Sequence, residues 1–198
     1  MIEHLLTENT ILRFPLSMTY GVTRPPALSE FTVEAERTAI TLHQSSGTGA
    51  TSAVEVVWVP HCPGNINYAA TDTNDVLSGM FTGCVMSTYT AGGERRVAHV
   101  HTGDDAGEGT DCKDTMQQLL AGAYTSVANF KPFDRRTGTD ETLYMEIAMA
   151  SGRGANGCMV MGLVTTANRC FSLFLQPLTT ASFMLVRKIE RRHDSFQY

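Results

Sequence analysis

The stretch that most constrains this chain runs from Phe81 to His101. It holds Phe81-Thr82-Gly83-Cys84, a strand-like run Val85–Thr90, the turn Ala91-Gly92-Gly93-Glu94, and then Arg95–His101. Gly92 and Gly93 can take the positive φ angles that a two-residue hairpin turn needs. With them as the loop, Ala91 faces Glu94, and counting back sets Cys84 opposite His101. His99 lies diagonally adjacent, and strand alternation puts Cys84, His99 and His101 on one face. A four-residue loop keeps this register. A three-residue loop would turn both histidines to the other face.

The rest of the chain reads mainly as strands. Leu12, Phe14, Leu16, Met18 and Tyr20 alternate with polar residues, and Pro15 suggests an edge position. A second strand runs from about Phe31 to Leu42. Val54–Val59, apolar on both phases apart from Glu55, reads as a central strand closed by Pro60. Thr71–Asp75 is rich in N-cap residues, and Val76, Leu77, Met80 and Phe81 fall at helical spacing, which predicts a short helix leading into Gly83-Cys84. After an acidic loop at Gly103–Gly109, a second helix is expected from Thr110 or Asp111. It carries Met116, Leu119, Leu120, Ala123 and Val127 on one face and ends at Lys131-Pro132. Leu143, Met145, Ile147 and Met149 alternate as a strand would, and Cys158–Val164, Cys170–Leu175 and Ser182–Ile189 follow. Strands with two interposed helices, no repeats and no linker predict one α+β domain over residues 1–198. Its mixed and antiparallel sheets would pack as a sandwich with flanking helices.

Composition excludes several functions. A net charge of -5 and a pI near 5.6 argue against a nucleic-acid partner. No run approaches the ~20 apolar residues of a membrane helix, and Met1–Leu6 lacks the basic start and apolar core of a signal peptide. The basic residues Arg187, Lys188, Arg191 and Arg192 read as a solvated strand end. Cys62, Cys84, Cys112, Cys158 and Cys170 form no CxxC pair and leave an odd one over, which suits a reducing compartment.

A cysteine attacks as its thiolate and needs a neighbouring base or positive charge. Cys84 follows a glycine and has a histidine pair in reach. Cys62 follows His61, but neighbours along a strand point to opposite faces. Cys158 and Cys170 read as core thiols. The bland alternative makes Cys84 a small buried residue and His99 and His101 hydrogen-bonded core histidines. A His-x-His pair on a strand also suits a metal, with Asp104 or Asp105 as a weak third ligand.

Four blocks in order, Trp58-Val59-Pro60, Asp75-Val76-Leu77-Ser78, Phe81-Thr82-Gly83-Cys84 and Val97-Ala98-His99, resemble the Burkholderia lethal factor family. They are similar, more widely, to the catalytic domains of the cytotoxic necrotizing factors. That group carries Leu-Ser-Gly-Cys with a histidine a dozen or more residues downstream. Val160–Thr165, Ser172-Leu173 and Thr179-Thr180 resemble the lethal factor's final strands. The likeness covers roughly residues 54–101 and 157–182 and leaves the first fifty without a match.

The resemblance implies that Cys84 is the nucleophile, His99 the base and Ser78 the hydroxyl that orients the imidazole. Phe81-Thr82 departs from Leu-Ser, and a serine stands where the lethal factor has threonine. His101 remains a rival to His99. The implied activity is that of a bacterial cytotoxin, a protein-glutamine glutaminase that converts one host glutamine to glutamate. Its target would be a translation-initiation RNA helicase, with translation inhibited, or a Rho-family GTPase. A transglutaminase and an inactive binding module on the same scaffold are the alternatives. No cofactor or metal is implied. The expected protein is a monomer whose partner is its host protein substrate. It would be made in the bacterial cytoplasm, secreted without a signal peptide, and active in the host cytosol.

Overall fold

The computed structural model describes residues 2–14, 36–44, 52–64, 66–102 and 124–192, together with Cys112, Asp114 and Gln118. Its strands are β1 (Thr10–Arg13), β2 (Glu36–Gln44), β3 (Ser52–Val59), β4 (Ile66–Ala70), β5 (Val76–Gly79) and β6 (Val85–Ala91). They continue with β7 (Glu94–Val100), β8 (Thr125–Phe130), β9 (Met159–Val164), β10 (Cys170–Pro177) and β11 (Ser182–Arg191), and a helix spans Thr139–Ala150. The expected α+β class is what the chain adopts, with mixed and antiparallel sheets in close contact and the Thr139–Ala150 helix flanking them.

The larger sheet, in the order β1-β11-β10-β9-β5-β3-β2, goes beyond an open layer: it closes into a barrel where β2 pairs with β1. Its pairs are antiparallel except β3 with β5, where Val57, Trp58 and Val59 meet Val76, Leu77 and Ser78. The smaller sheet has the order β4-β7-β6-β8.

Two-residue alternation explains how the layers meet. Val56, Leu77, Met161, Leu163, Leu173 and Leu185 point into the barrel, where Ile2 and Leu6 from the N-terminal turn join them. The alternate residues Val57, Val59, Val76, Val160, Val164 and Phe174 point outward and are buried too. Met86, Val97 and Phe130 of the smaller sheet and Ile147 and Ala148 of the helix cover them. We call this second interface the seam. Gly162 lies in it, where a Cβ would run into Met86, Pro132 and Phe81, so only glycine lets the layers approach this closely.

Several sequence expectations are corrected. The segment Val76–Gly79 is a strand, not a helix, and is buried on both faces. A short apolar run buried on both sides has no period of its own, so helical spacing fits it by chance. Asp75 does serve backbone N–H groups, but distant ones: its carboxylate accepts from Ile2 N at 2.6 Å and Thr166 N at 2.8 Å. Thr139–Ala150 is a helix, not a strand. Four alternating residues are also two i,i+4 pairs, and here Leu143 and Ile147 pack inward while Met145 and Met149 are exposed. The missed cues are Gly138 at φ 67° ahead of it and Asp140 and Glu141 in its first turn.

Val127 belongs to β8, not to a helix. Of the helix expected before it, Cys112, Asp114 and Gln118 are helical and the other residues lie outside the described ones, as do Gly103–Gly109. β1 is no edge, since it pairs with both β2 and β11; Pro15 and residues 16–20 lie outside the described residues. So do Phe31–Ala35, ahead of β2. Of the C-terminal basic residues Arg187 and Arg192 are exposed as a solvated strand end would be, whereas Lys188 Nζ donates to Glu3 O at 2.6 Å and Arg191 pairs with Asp140 at 2.8 Å.

Candidate active site

The expected hairpin register holds. Ala91 faces Glu94, Met86 faces His99 and Val85 faces Val100, with Gly92 and Gly93 at φ 60° and 84°. Met86 and Val97 face the seam, so alternation carries Cys84 and His99 to the same side. Cys84 is a member of the seam cluster, 5% exposed, and His99 is 2% exposed.

Three hydrogen bonds fasten the segments that converge here. Thr102 Oγ1 donates to Gly83 O at 2.7 Å, which ties the residue before Cys84 to the end of β7. Asn67 Nδ2 donates to Pro60 O at 2.9 Å, and Gly64 N donates to His101 Nδ1 at 3.0 Å. The last two anchor the turn 60–64, which delivers His61. Its ring centroid lies 5.0 Å from that of His99 and 5.4 Å from that of His101. His61, Cys84 and His101 each present a ligand-capable atom, and the three lie within 4.8 Å of one another.

His61 is the residue that sequence reasoning missed. The alternation rule that set it apart from Cys62 holds inside a strand, but His61 lies beyond Val59, where β3 has ended. The His61-Cys62-Pro63-Gly64 run after Pro60 is turn chemistry, and that was the available signal.

Ser78 and His99 meet across the seam. Ser78 Oγ donates its one hydrogen to Val59 O at 2.6 Å and lies 2.7 Å from His99 Nδ1. With that hydrogen committed, the Ser78 oxygen accepts, so His99 Nδ1 carries the ring proton. Nε2 is left with a bare lone pair; it is buried and has no hydrogen-bond partner. Phe81 stacks on the ring at 4.2 Å and 11°.

His101 has the opposite tautomer. Its Nδ1 accepts the Gly64 amide, so the proton sits on Nε2. His99 offers a base and His101 a donor. Burial, and then the charges of His61 and His101, hold His99 well below the usual imidazole range. Burial, and then His101, lower His61. Lowered in this way, His61 and His99 are neutral at neutral pH.

The other thiols differ. Burial pushes Cys158 and Cys170 up to about 12 each. All five cysteines are buried thiols. Asp104 and Asp105 lie outside the described residues. Beside the site, Met80 holds φ 65°, a conformation that costs a non-glycine residue about 1–3 kcal/mol. Met80, Phe81 and Thr82 form one wall of a cavity of about 620 Å³ that Tyr144, Arg153 and Pro177 help to enclose. No family model, curated protein or solved structure matches the chain.

Proposed function

We propose that this protein is a thiol-dependent glutamine deamidase, a bacterial toxin acting on a host protein. The observation that carries the reading is the Ser78–His99 pair, which leaves a bare buried Nε2 in the seam that holds Cys84. Cys84 is the nucleophile, His99 the base and Ser78 the positioning residue that fixes the tautomer. His101, with Nε2–H outward from its Gly64 contact, donates to the thiolate and steadies it.

Cys84 Sγ forms a bond to the carboxamide carbon as its proton passes to His99. Backbone N–H groups hold the oxyanion. The intermediate collapses by breaking the C–N bond, and the proton on His99 leaves with ammonia. His99 then takes a proton from water, whose oxygen attacks the thioester and releases glutamate and the thiol. The target is a translation-initiation RNA helicase by the sequence resemblance, or a Rho-family GTPase. The test is intact mass of each candidate target after incubation. Wild type gives the gain of one NH2-to-OH exchange, and Cys84→Ser gives none; equal modification by both removes Cys84 from the mechanism.

The burial of Cys84 in an apolar cluster favours a second reading, a binding module that keeps the scaffold without turnover. Iodoacetamide separates the two. An activated thiol labels faster than a model peptide thiol near neutral pH, and a core thiol does not label.

A further inference from the structure

We propose that His61, Cys84 and His101 form a site for a single Zn²⁺ ion, and that the ion silences the protein by coordinating the Cys84 thiol. One thiolate and two imidazoles are a donor set that suits zinc, whereas magnesium and calcium take oxygen. The three donor atoms lie within 4.8 Å of one another. Tetrahedral zinc, with bonds of about 2.0–2.3 Å, sets its ligand atoms about 3.3–3.6 Å apart. Closing on the ion therefore needs a contraction of at most about 1.5 Å, within the range of small side-chain rotations.

The donors come from three segments that the fold already ties together. Asn67 holds Pro60, beside His61; Thr102 holds Gly83, beside Cys84; and His101 itself holds Gly64. His99 is a second, independent sign of a ligand. Its Nε2 is buried and unpartnered, and its ring lies 5.0 Å from that of His61. Its Nδ1–H is given to Ser78, the outer-shell arrangement that fixes a metal-binding histidine in the right tautomer. His99 stands beside the three clustered donors without being one of them.

Binding exchanges the Cys84 S–H bond for a sulfur–zinc bond and releases one proton to solvent. His101 gives up its Gly64 contact whichever nitrogen it uses. If zinc takes Nδ1, the lone pair is occupied; if zinc takes Nε2, the ring proton moves to Nδ1 and meets the Gly64 N–H. The Gly64 amide is therefore a local reporter of the ion. The coordination stands on this geometry alone, while the silencing rests on the deamidase reading above.

The experiment takes the full chain, stripped with EDTA, and titrates it with Co²⁺ and then Zn²⁺. One equivalent of cobalt is expected to give a sulfur-to-metal charge-transfer band that zinc abolishes. The Gly64 amide resonance should shift, and Cys84 should become protected from iodoacetamide. Cys84→Ser should lose the band. His61→Ala and His101→Ala should each weaken binding by about 10-fold or more, and His4→Ala should leave it unchanged. One equivalent of zinc should stop deamidation, with recovery on adding EDTA. A band that survives in Cys84→Ser, wild-type affinity in His61→Ala, or activation by zinc would overturn the proposal. A thiol-dependent deamidase without the band loses the metal site and keeps its activity. A chain with the band and no deamidase activity keeps the coordination and loses the silencing.

Discussion

The barrel interior and the seam are both buried, yet they are built differently. Inside the barrel Leu12, Val56, Leu77, Leu163, Leu173 and Leu185 meet with full burial and no polar partner to satisfy. The seam is equally buried but holds Ser78, His99 and Cys84 among its valines and phenylalanines. Strand β5 shows the difference in two residues: Leu77 fills the barrel, and Ser78, next along the chain, enters the seam and spends its hydroxyl on Val59 and His99. A buried polar group without a partner costs about 1–3 kcal/mol, so polar residues persist in such a layer only where bonds support them. The barrel interior is filled by apolar contacts, and the seam is where polar side chains are held in place by hydrogen bonds.

The largest expected effect is on turnover. Cys84→Ser should lower deamidation by on the order of 10⁴-fold or more, while the melting temperature stays near wild type. Loss of folding along with activity would make Cys84 a packing residue and erase the distinction between the two layers. Next comes Leu163→Ala in the barrel, where the cavity left by a fully buried leucine should cost about 2–5 kcal/mol in denaturant unfolding. Its activity per folded molecule should be unchanged. Ser78→Ala falls between these types. It removes the acceptor for His99 Nδ1, so kcat should drop about 10–100-fold with KM held. Ser78→Thr, which keeps the hydroxyl, should restore most of the rate. An equal loss in Ser78→Thr would point to crowding rather than to the hydrogen bond.

How much of this was legible in the sequence depends on how local the cause is. Gly92-Gly93 fixes its own turn, so the register of β6 on β7 and the shared face of Cys84 and His99 could be read directly. The strands Val54–Val59, Cys158–Val164 and Cys170–Leu175 were legible as apolar runs. Val76–Gly79 was not, because its partners β3 and β9 on either side make it a strand, and four buried residues carry no period. The 139–150 helix misled through Met145 and Met149, apolar residues that face solvent. His61 reaches the site through a turn anchored by Asn67 and His101, contacts that no spacing rule encodes. Barrel closure was equally hidden, since it joins β1 to both β2 and β11.

The smallest effect concerns the seam's other two thiols, and at neutral pH it is nil. Cys158 and Cys170 share the apolar cluster with Cys84 but lie in stretches without a histidine, and both are pushed up to about 12 by burial. In the unfolded chain a thiol titrates near about 8.5. Between those values the unfolded form has lost protons that the folded form keeps. The folded state therefore binds more protons, and stability falls as pH rises. Below about pH 8.5 both states hold the proton and these thiols contribute no slope. Tyr89, raised chiefly by burial, adds its own loss only above about pH 10, where free tyrosine begins to ionise. In the window from about pH 8.5 to 10 Lys188, lowered chiefly by burial, works in the opposite direction, so the comparison with a variant lacking the two thiols isolates their share. Urea unfolding across this window should show a falling ΔG in wild type and a flatter line in the Cys158→Ala/Cys170→Ala double variant, whatever that variant loses uniformly to its small cavities. Parallel lines would mean that these two thiols are not held protonated by the fold. The seam would then not divide into an inert flank and a histidine-lined one.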